Sequence, residues 1–223
     1  MVTPAAALLL LTDGRFPAGG YAHSGGLEPS VRSGRVHDLA TLESFLAGRA
    51  ATVGLVGAAF AAAACRAAAT RDIVNLHELD AALDIRTPSP AQRSTSRQLG
   101  RQLLRVVGTI CPSPVYQQLG DRPHQPVVFG AACAVLGLDP YDAALGSLHE
   151  TVAAPVAAAV RLMSLDPIAT HGVLARLGPW LDDLAAEALS FDGDADDLPA
   201  AGAPLLDICA ERHALAQGRL FAS

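Results

Sequence analysis

Ser24 lies between His23 and Glu28 in a short run, Arg15 to Glu28, that also holds Tyr21 and four glycines. A hydroxyl, an imidazole and a carboxylate are the groups of acyl transfer, in which a base takes the serine proton and an acid orients the base. Sequence neighbours rarely converge in space, and Ala22 stands where the Gly-x-Ser-x-Gly elbow needs its first glycine. The plainer reading of Ser24 is a polar loop that caps a helix and pairs its own backbone. Gly20-x-x-x-x-Gly25 has the first spacing of a phosphate loop, but Gly26 and Leu27 replace the required Lys and Ser/Thr.

Metal chemistry finds no pattern. The histidines at 23, 37, 77, 124, 149, 171 and 213 form neither His-x-His nor His-x-x-x-His, and Cys65, Cys111, Cys133 and Cys209 stand far apart. No metal site and no cofactor are expected. All 16 basic residues are arginine, which removes the Walker lysine, the Schiff-base lysine and the Ser-x-x-Lys nucleophile. Arg93, Arg97, Arg101 and Arg105 step by four. Such a stripe is either a solvated face or a dock for an acidic partner, since arginine offers planar forked donors to carboxylates.

Composition narrows the class further. The chain has 223 residues, a net charge of −6 and 51% hydrophobic residues, with a mean hydropathy of +0.31. It is long enough for a real core and too apolar for disorder. An acidic chain makes a poor nucleic-acid binder. Ala5–Leu11 lacks the basic flank of a cleaved signal. Ala50–Cys65 is too short and too alanine-rich for a membrane span and reads as a buried helix. Unpaired cysteines point to a reducing compartment.

Helical spacing recurs along the chain and strand alternation does not, which predicts an all-α, single compact domain of about ten helices over residues 1–223. Asp38 reads as the cap of a helix through Leu39, Leu42, Phe45, Leu46 and Arg49, and the alanine-rich stretch 50–69 continues as helix. Residues 84–90 read as a connection. An amphipathic helix with Leu99, Leu103, Val106, Val107 and Ile110 on one face follows, stopped by Pro112 and Pro114. Further helices are expected over 125–136, 141–165 (kinked or split at Pro155), 168–177 and 180–189. Residues 191–204, with Asp192, Asp194, Asp196 and Asp197, read as an acidic surface loop. Residues 205–223 read as a last helix and tail, helical to Phe221, with Leu205, Ile208, Cys209 and Leu215 facing inward and the end tied to the core or to a partner.

Several segments together resemble one family. Leu8–Glu28, Arg93-Ser-x-Ser-Arg-Gln-Leu-Gly-Arg-x-Leu-Leu104, His124-x-Pro-Val-Val-Phe-Gly130, Val160-Arg-Leu162 and the end, Arg212-His213 with Arg219-Leu-Phe221, are similar in order to the UreF family of urease accessory proteins. Residues 163–172 depart from the family's glycine–glutamine-rich stretch. The resemblance implies a cytoplasmic all-helical homodimer without catalysis. It implies an adaptor that bridges the nickel GTPase UreG and the UreD/UreH scaffold as nickel is inserted into apo-urease, with no role in nucleic-acid or membrane binding. Partner-facing residues are then expected at Arg15, Gly20, Tyr21, His23, Ser24 and Glu28, at Arg93, Arg97 and Arg101, and at Arg212, His213, Arg219, Leu220 and Phe221, with the tail ordering when the scaffold binds. Two other functions remain open: an arginine-finger activator of the GTPase, and a serine hydrolase using Ser24.

Overall fold

Alanine sets how closely the helices of this chain approach. The computed structural model describes residues 3–192 and 194–222. Among these the regular elements are all helical: α1 (Pro4–Leu11), α2 (Leu27–Arg32), α3 (Leu39–Arg49), α4 (Leu55–Thr70), α5 (Ile73–Ile85), α6 (Pro90–Ile110), α7 (Gln125–Val135), α8 (Pro140–Met163), α9 (Pro167–Leu189) and α10 (Pro204–Leu215). The alanine-rich α4 is the central helix, packed against α5, α7, α8 and α9. Its neighbours come almost to backbone contact: a Cβ on Gly130 of α7 would lie 2.1 Å from the carbonyl oxygen of Ala61. One continuous hydrophobic core results. The two longest apolar helical runs, Leu39–Thr70 and Pro140–Met163, meet the length and hydropathy of a membrane span, yet 61% and 56% of their most apolar windows are buried inside this fold.

Helix starts follow the sequence closely. Asp38, Asp72, Ser89, Asp139 and Asp166 cap α3, α5, α6, α8 and α9 with their side chains, and Pro90, Pro140 and Pro167 occupy first turns where a missing N–H costs nothing. At Asp38 the cap is reciprocal: the carboxylate accepts the Thr41 N–H (2.8 Å) and the Thr41 hydroxyl accepts the Asp38 N–H (3.0 Å). α3 runs into α4 without a break, through a widened π-helical turn at Ala50–Gly54.

Four expectations are corrected. Pro155 does not split its helix; α8 is continuous from Pro140 to Met163. A proline leaves the carbonyl four residues back without its donor, and here the Arg49 Nε–H donates to that carbonyl, on Thr151, at 3.1 Å. Pro179 likewise lies inside one helix, α9, rather than between two. Ala175 and Pro179 both face outward, where water can take the freed carbonyl. The last helix ends at Leu215, not Phe221: Ala216 turns to extended backbone and Gly218 takes φ +66. On that helix Cys209 is buried, whereas Leu205, Ile208 and Leu215 face outward.

The loop before α10 is held by its backbone. Arg86 donates to the carbonyls of Ala195 (2.9 Å), Asp196 (3.0 Å) and Leu198 (3.2 Å), and Arg66 donates to that of Phe191 (2.8 Å). Leu198 is buried, while Asp192, Asp194, Asp196 and Asp197 are exposed.

The α4–α7 crossing yields a direct test. Gly130→Ala forces backbone apart and is expected to cost about 1–3 kcal/mol or more, read as a lower thermal midpoint. Gly48→Ala, on the exposed side of α3 with open space at its Cβ, is expected to raise stability by roughly 0.5–1 kcal/mol. Equal effects of the two substitutions would refute the close-approach account.

Candidate partner-binding site

A buried carboxylate joins the two ends of the chain. Gly25 (φ +60) and Gly26 (φ +87) take left-handed backbone that other residues rarely adopt, and so turn the chain into α2. The Ser24 hydroxyl, itself buried, accepts the Glu28 N–H, a first-turn amide of α2, at 3.1 Å. Glu28 is fully buried. Its carboxylate accepts the backbone N–H of Leu220 (3.0 and 3.2 Å to its two oxygens) and of Phe221 (2.9 Å), pairs with Arg32 (2.8 Å), and lies 3.7 Å from His213 Nε2. Arg32 also donates to the carbonyls of Gln217 and Gly218. The Ala222 N–H donates to the Ala22 carbonyl at 2.8 Å. The Phe221 ring is buried beneath the Arg161 guanidinium, 4.7 Å from its centroid. The tail is therefore docked in the chain by itself, which corrects the expectation that it orders only on a partner. Ser223 lies outside the described residues.

The outcome is a composite surface. Tyr21, on a single 3₁₀ turn at Gly20–Ala22, is 68% exposed, and Leu220 on the docked tail is 64% exposed. Arg212 and Arg219 are exposed, and His213 is buried beneath them. Gly20 is exposed, with open space around it. His23 is half-buried, and burial lowers its pKa. Arg15 is not part of this cluster; it pairs with Asp13 at 3.0 Å in solvent.

The arginines of α6 do not share one environment. Arg97 is turned inward. It donates from Nε and Nη2 to Asp84 (3.0 and 2.8 Å), and from Nη1 to Asp80 (3.1 Å) and the Arg122 carbonyl (2.7 Å). Arg93 holds the carbonyls of Thr87 and Pro88. Arg101, like Arg105 beyond it, points to solvent. His124 is buried beside Arg97, Nε2 3.1 Å from Asp84 and Nδ1 2.9 Å from Ser96 Oγ. Burial first, and then the Arg97 charge, lower its pKa, so at neutral pH its Nε2–H donates to Asp84 while Nδ1 accepts from Ser96. Burial works to raise the Asp84 pKa, but its bonds to Arg97 and His124 outweigh this and the pKa is lowered. This network fastens α5, α6 and the start of α7 together. The signature run meets α6 where Gly19 (φ +90) sits against the Gln102 side chain.

Between the signature run, α6, α8 and α10 lies a cavity of about 770 Å³, lined by Tyr21, Arg49, Gln125, Glu150, His213 and Phe221 among others. Sequence reading gives no site role to Arg49 or Glu150, nor to Arg32 and Arg161 at the tail, although Arg161 lies in one of the family-like segments, because each is an ordinary helix position until the chain folds. Burial lowers the Arg49 pKa to about 10. Burial pushes the Glu150 carboxyl up from 4.5 to about 7, against the opposing 2.8 Å bond from the Gln125 amide. Among the described residues, no three His, Cys, Asp or Glu side chains are grouped to hold a metal ion.

The Glu150 shift has a pH signature. The folded chain keeps this proton up to about pH 7, whereas the unfolded chain releases it near 4.5. Its contribution to stability therefore falls as pH rises from 4.5 to 7 and is level above. Glu150→Gln is expected to stabilise the protein at pH 8 by on the order of 2–3 kcal/mol, with the gain shrinking toward pH 4. Urea denaturation of both proteins across this range is the measurement, and a gain independent of pH would contradict the assignment.

The sequence profile of the UreF family matches residues 36–178. The chain is 40% identical over 222 residues, the whole of both chains, to a protein of Mycobacterium sp. (strain JLS) named urease accessory protein UreF. It is 42% identical over 218 residues, 98% of each chain, to the protein of that name from Mycolicibacterium vanbaalenii. Its identity to the one from Mycobacterium tuberculosis H37Rv is 40% over 212 residues, 95% of each chain. With all of its length shared at this level, the chain belongs to the UreF family of urease accessory proteins.

Proposed function

We propose that the chain is a non-catalytic adaptor of urease maturation, working in the cytoplasm as a homodimer. It holds a nickel-carrying GTPase of the UreG type against a scaffold of the UreD/UreH type, so that nickel reaches apo-urease. The observation that carries this reading is the joining of the two chain ends through Glu28, which leaves Tyr21 on the N-terminal signature and Arg219 and Leu220 on the C-terminal tail exposed on segments bonded to each other. Large exposed apolar groups flanked by arginine are the composition of binding hot spots. An adaptor contributes effective concentration and orientation rather than bond chemistry, and two-fold symmetry would match a two-fold GTPase. Nickel is cargo in this scheme and passes through or beside the chain without a tight site.

A second reading is favoured by one observation. Arg101 and Arg105 are exposed and have no hydrogen-bond or ion-pair partner among the described residues. Either could reach into a GTPase site and neutralise transition-state charge.

Affinity capture tests the adaptor. Tyr21→Ala, and separately deletion of residues 219–223, are each expected to reduce recovery of at least one partner tenfold or more; full recovery of both partners with both variants would refute the surface assignment. Equilibrium dialysis is expected to give no tight nickel site. On mixing with the GTPase, an adaptor leaves GTP hydrolysis unchanged. An acceleration abolished by Arg101→Ala or Arg105→Ala alone would establish the second reading instead.

A further inference from the structure

Arg49 is a cation without a counter-ion. It ends α3, half-buried, on the wall of the cavity. Its Nε–H is committed to the Thr151 carbonyl that Pro155 leaves free. That is its one hydrogen bond among the described residues, and no carboxylate among them pairs with it. Arg32 and Arg97, by contrast, are met by Glu28 and by Asp80 and Asp84. Burial lowers the Arg49 pKa only to about 10, so the charge stands at neutral pH. Glu150, beside Thr151 on the same wall, does not offset it; its carboxyl is held by the Gln125 amide and keeps its proton to about pH 7. A charge withdrawn from bulk water calls for a partner. The two Nη groups have none, and both are open to the space around them: among the described residues, the one side-chain nitrogen or oxygen that is both sealed off and unpartnered is Arg86 Nε. The signature backbone packs on the other side of the fork, where a Cβ on Gly25 would lie 3.2 Å from Arg49 Cζ and Nε.

We propose that the cavity is a binding site for a small monocarboxylate, its carboxylate seated on the Nη fork of Arg49 and its short apolar chain lying along the alanine wall of α8. The fork selects the head group. Two parallel N–H donors match the two oxygens of a planar carboxylate, and a single cation meets a single negative charge. The wall selects the chain. Ala154 and Ala158 line the cavity three and seven residues after Thr151, so they continue from the Arg49 end along one helical face. At 1.5 Å per residue that stretch runs for about 10 Å, enough for a chain of a few carbons. The cavity opens to solvent, so a ligand has a way in, and its volume of about 770 Å³ falls within the range of small-molecule sites, which are mostly apolar with a few placed polar groups. A bound carboxylate would tie α3, α8 and the signature run together through one guanidinium, and would stabilise the fold by mass action. The inference is independent of the docking role given above to the chain ends.

The test follows the Arg49 Nε–H resonance of the full-length chain by proton–nitrogen NMR, assigned by its loss in Arg49→Lys. Sodium butyrate, acetate or phosphate replaces sodium chloride at constant ionic strength. Butyrate is expected to shift the resonance saturably, with a Kd of about 1 mM or below. Acetate, which has the head group and little chain, is expected to bind at least threefold more weakly. Arg49→Lys keeps the charge and a donor for Thr151 but loses the fork, and is expected to weaken butyrate at least tenfold by calorimetry. Ala154→Leu leaves Arg49 intact and fills the wall; it is expected to weaken butyrate at least fivefold and acetate less than twofold, and it decides the matter should Arg49→Lys fail to fold. Phosphate binding as tightly as butyrate, or butyrate binding unchanged in both variants, would overturn the carboxylate assignment. No saturation by about 20 mM butyrate would overturn the site itself, and a shift of the same resonance by UreD/UreH-type scaffold alone would then give Arg49 to a carboxylate of that partner.

Discussion

A carboxylate withdrawn completely from water has to be met by donors, and Glu28 meets that requirement with groups 192 and 193 residues away. This one constraint explains why the glycine-rich signature and the last residues behave as a unit. The signature supplies the turn that buries the carboxylate, and the tail supplies the N–H groups that satisfy it. Removing the tail would take the Leu220 and Phe221 donors from the carboxylate and leave it to Arg32 and water. Tyr21 and Leu220 share a surface because Glu28 draws the two segments against each other.

The same accounting runs through the arginines. Much of the chain's basic charge is directed at carbonyls that the fold has left without partners: Arg32 at Gln217 and Gly218, Arg49 at Thr151, Arg66 at Phe191, Arg86 at three residues of the acidic loop, Arg93 at Thr87 and Pro88, and Arg97 at Arg122. A guanidinium has five donors in a planar fork and keeps its proton when buried, so it can serve several backbone acceptors at once. Lysine would offer a more strongly hydrated point charge to the same sites. Arginine here stands in for hydrogen bonds that proline, loop and tail geometry remove.

Which features the sequence discloses follows from how local their causes are. The cap at Asp38 and the apolar face of α6 are decided within a turn or two of chain, and periodicity and cap chemistry are enough to read them. A split at Pro155 is expected from the sequence and absent from the structure because its rescue comes from Arg49, about a hundred residues earlier. At Pro179 exposure, not sequence, decides whether water can serve a freed carbonyl. Apolar residues persist to Phe221, whereas the helix ends at Leu215, where the tail turns toward Glu28 and Arg32. In the site, the family resemblance picked out Glu28, His213 and Phe221, but as surface contacts; their burial and mutual bonding depend on contacts between distant segments. The stripe on α6 looked uniform because spacing by four records one helical face and not what lies opposite each turn, which for Arg97 is Asp80 and Asp84.

Packing chemistry also divides the molecule by stiffness. Where α4 crosses α7, alanine and glycine bring backbone against backbone, and dense interiors of that kind have few alternative arrangements. At the α10 edge, large apolar side chains point outward and attachment is by hydrogen bonds that water can replace. The cavity lies between these two regimes, with α8 as one wall and α10 with the tail as its roof. Glu28 and Arg32, which draw the tail in, belong to α2, so the exposed surface around the two chain ends joins the body of the fold to its most weakly attached edge.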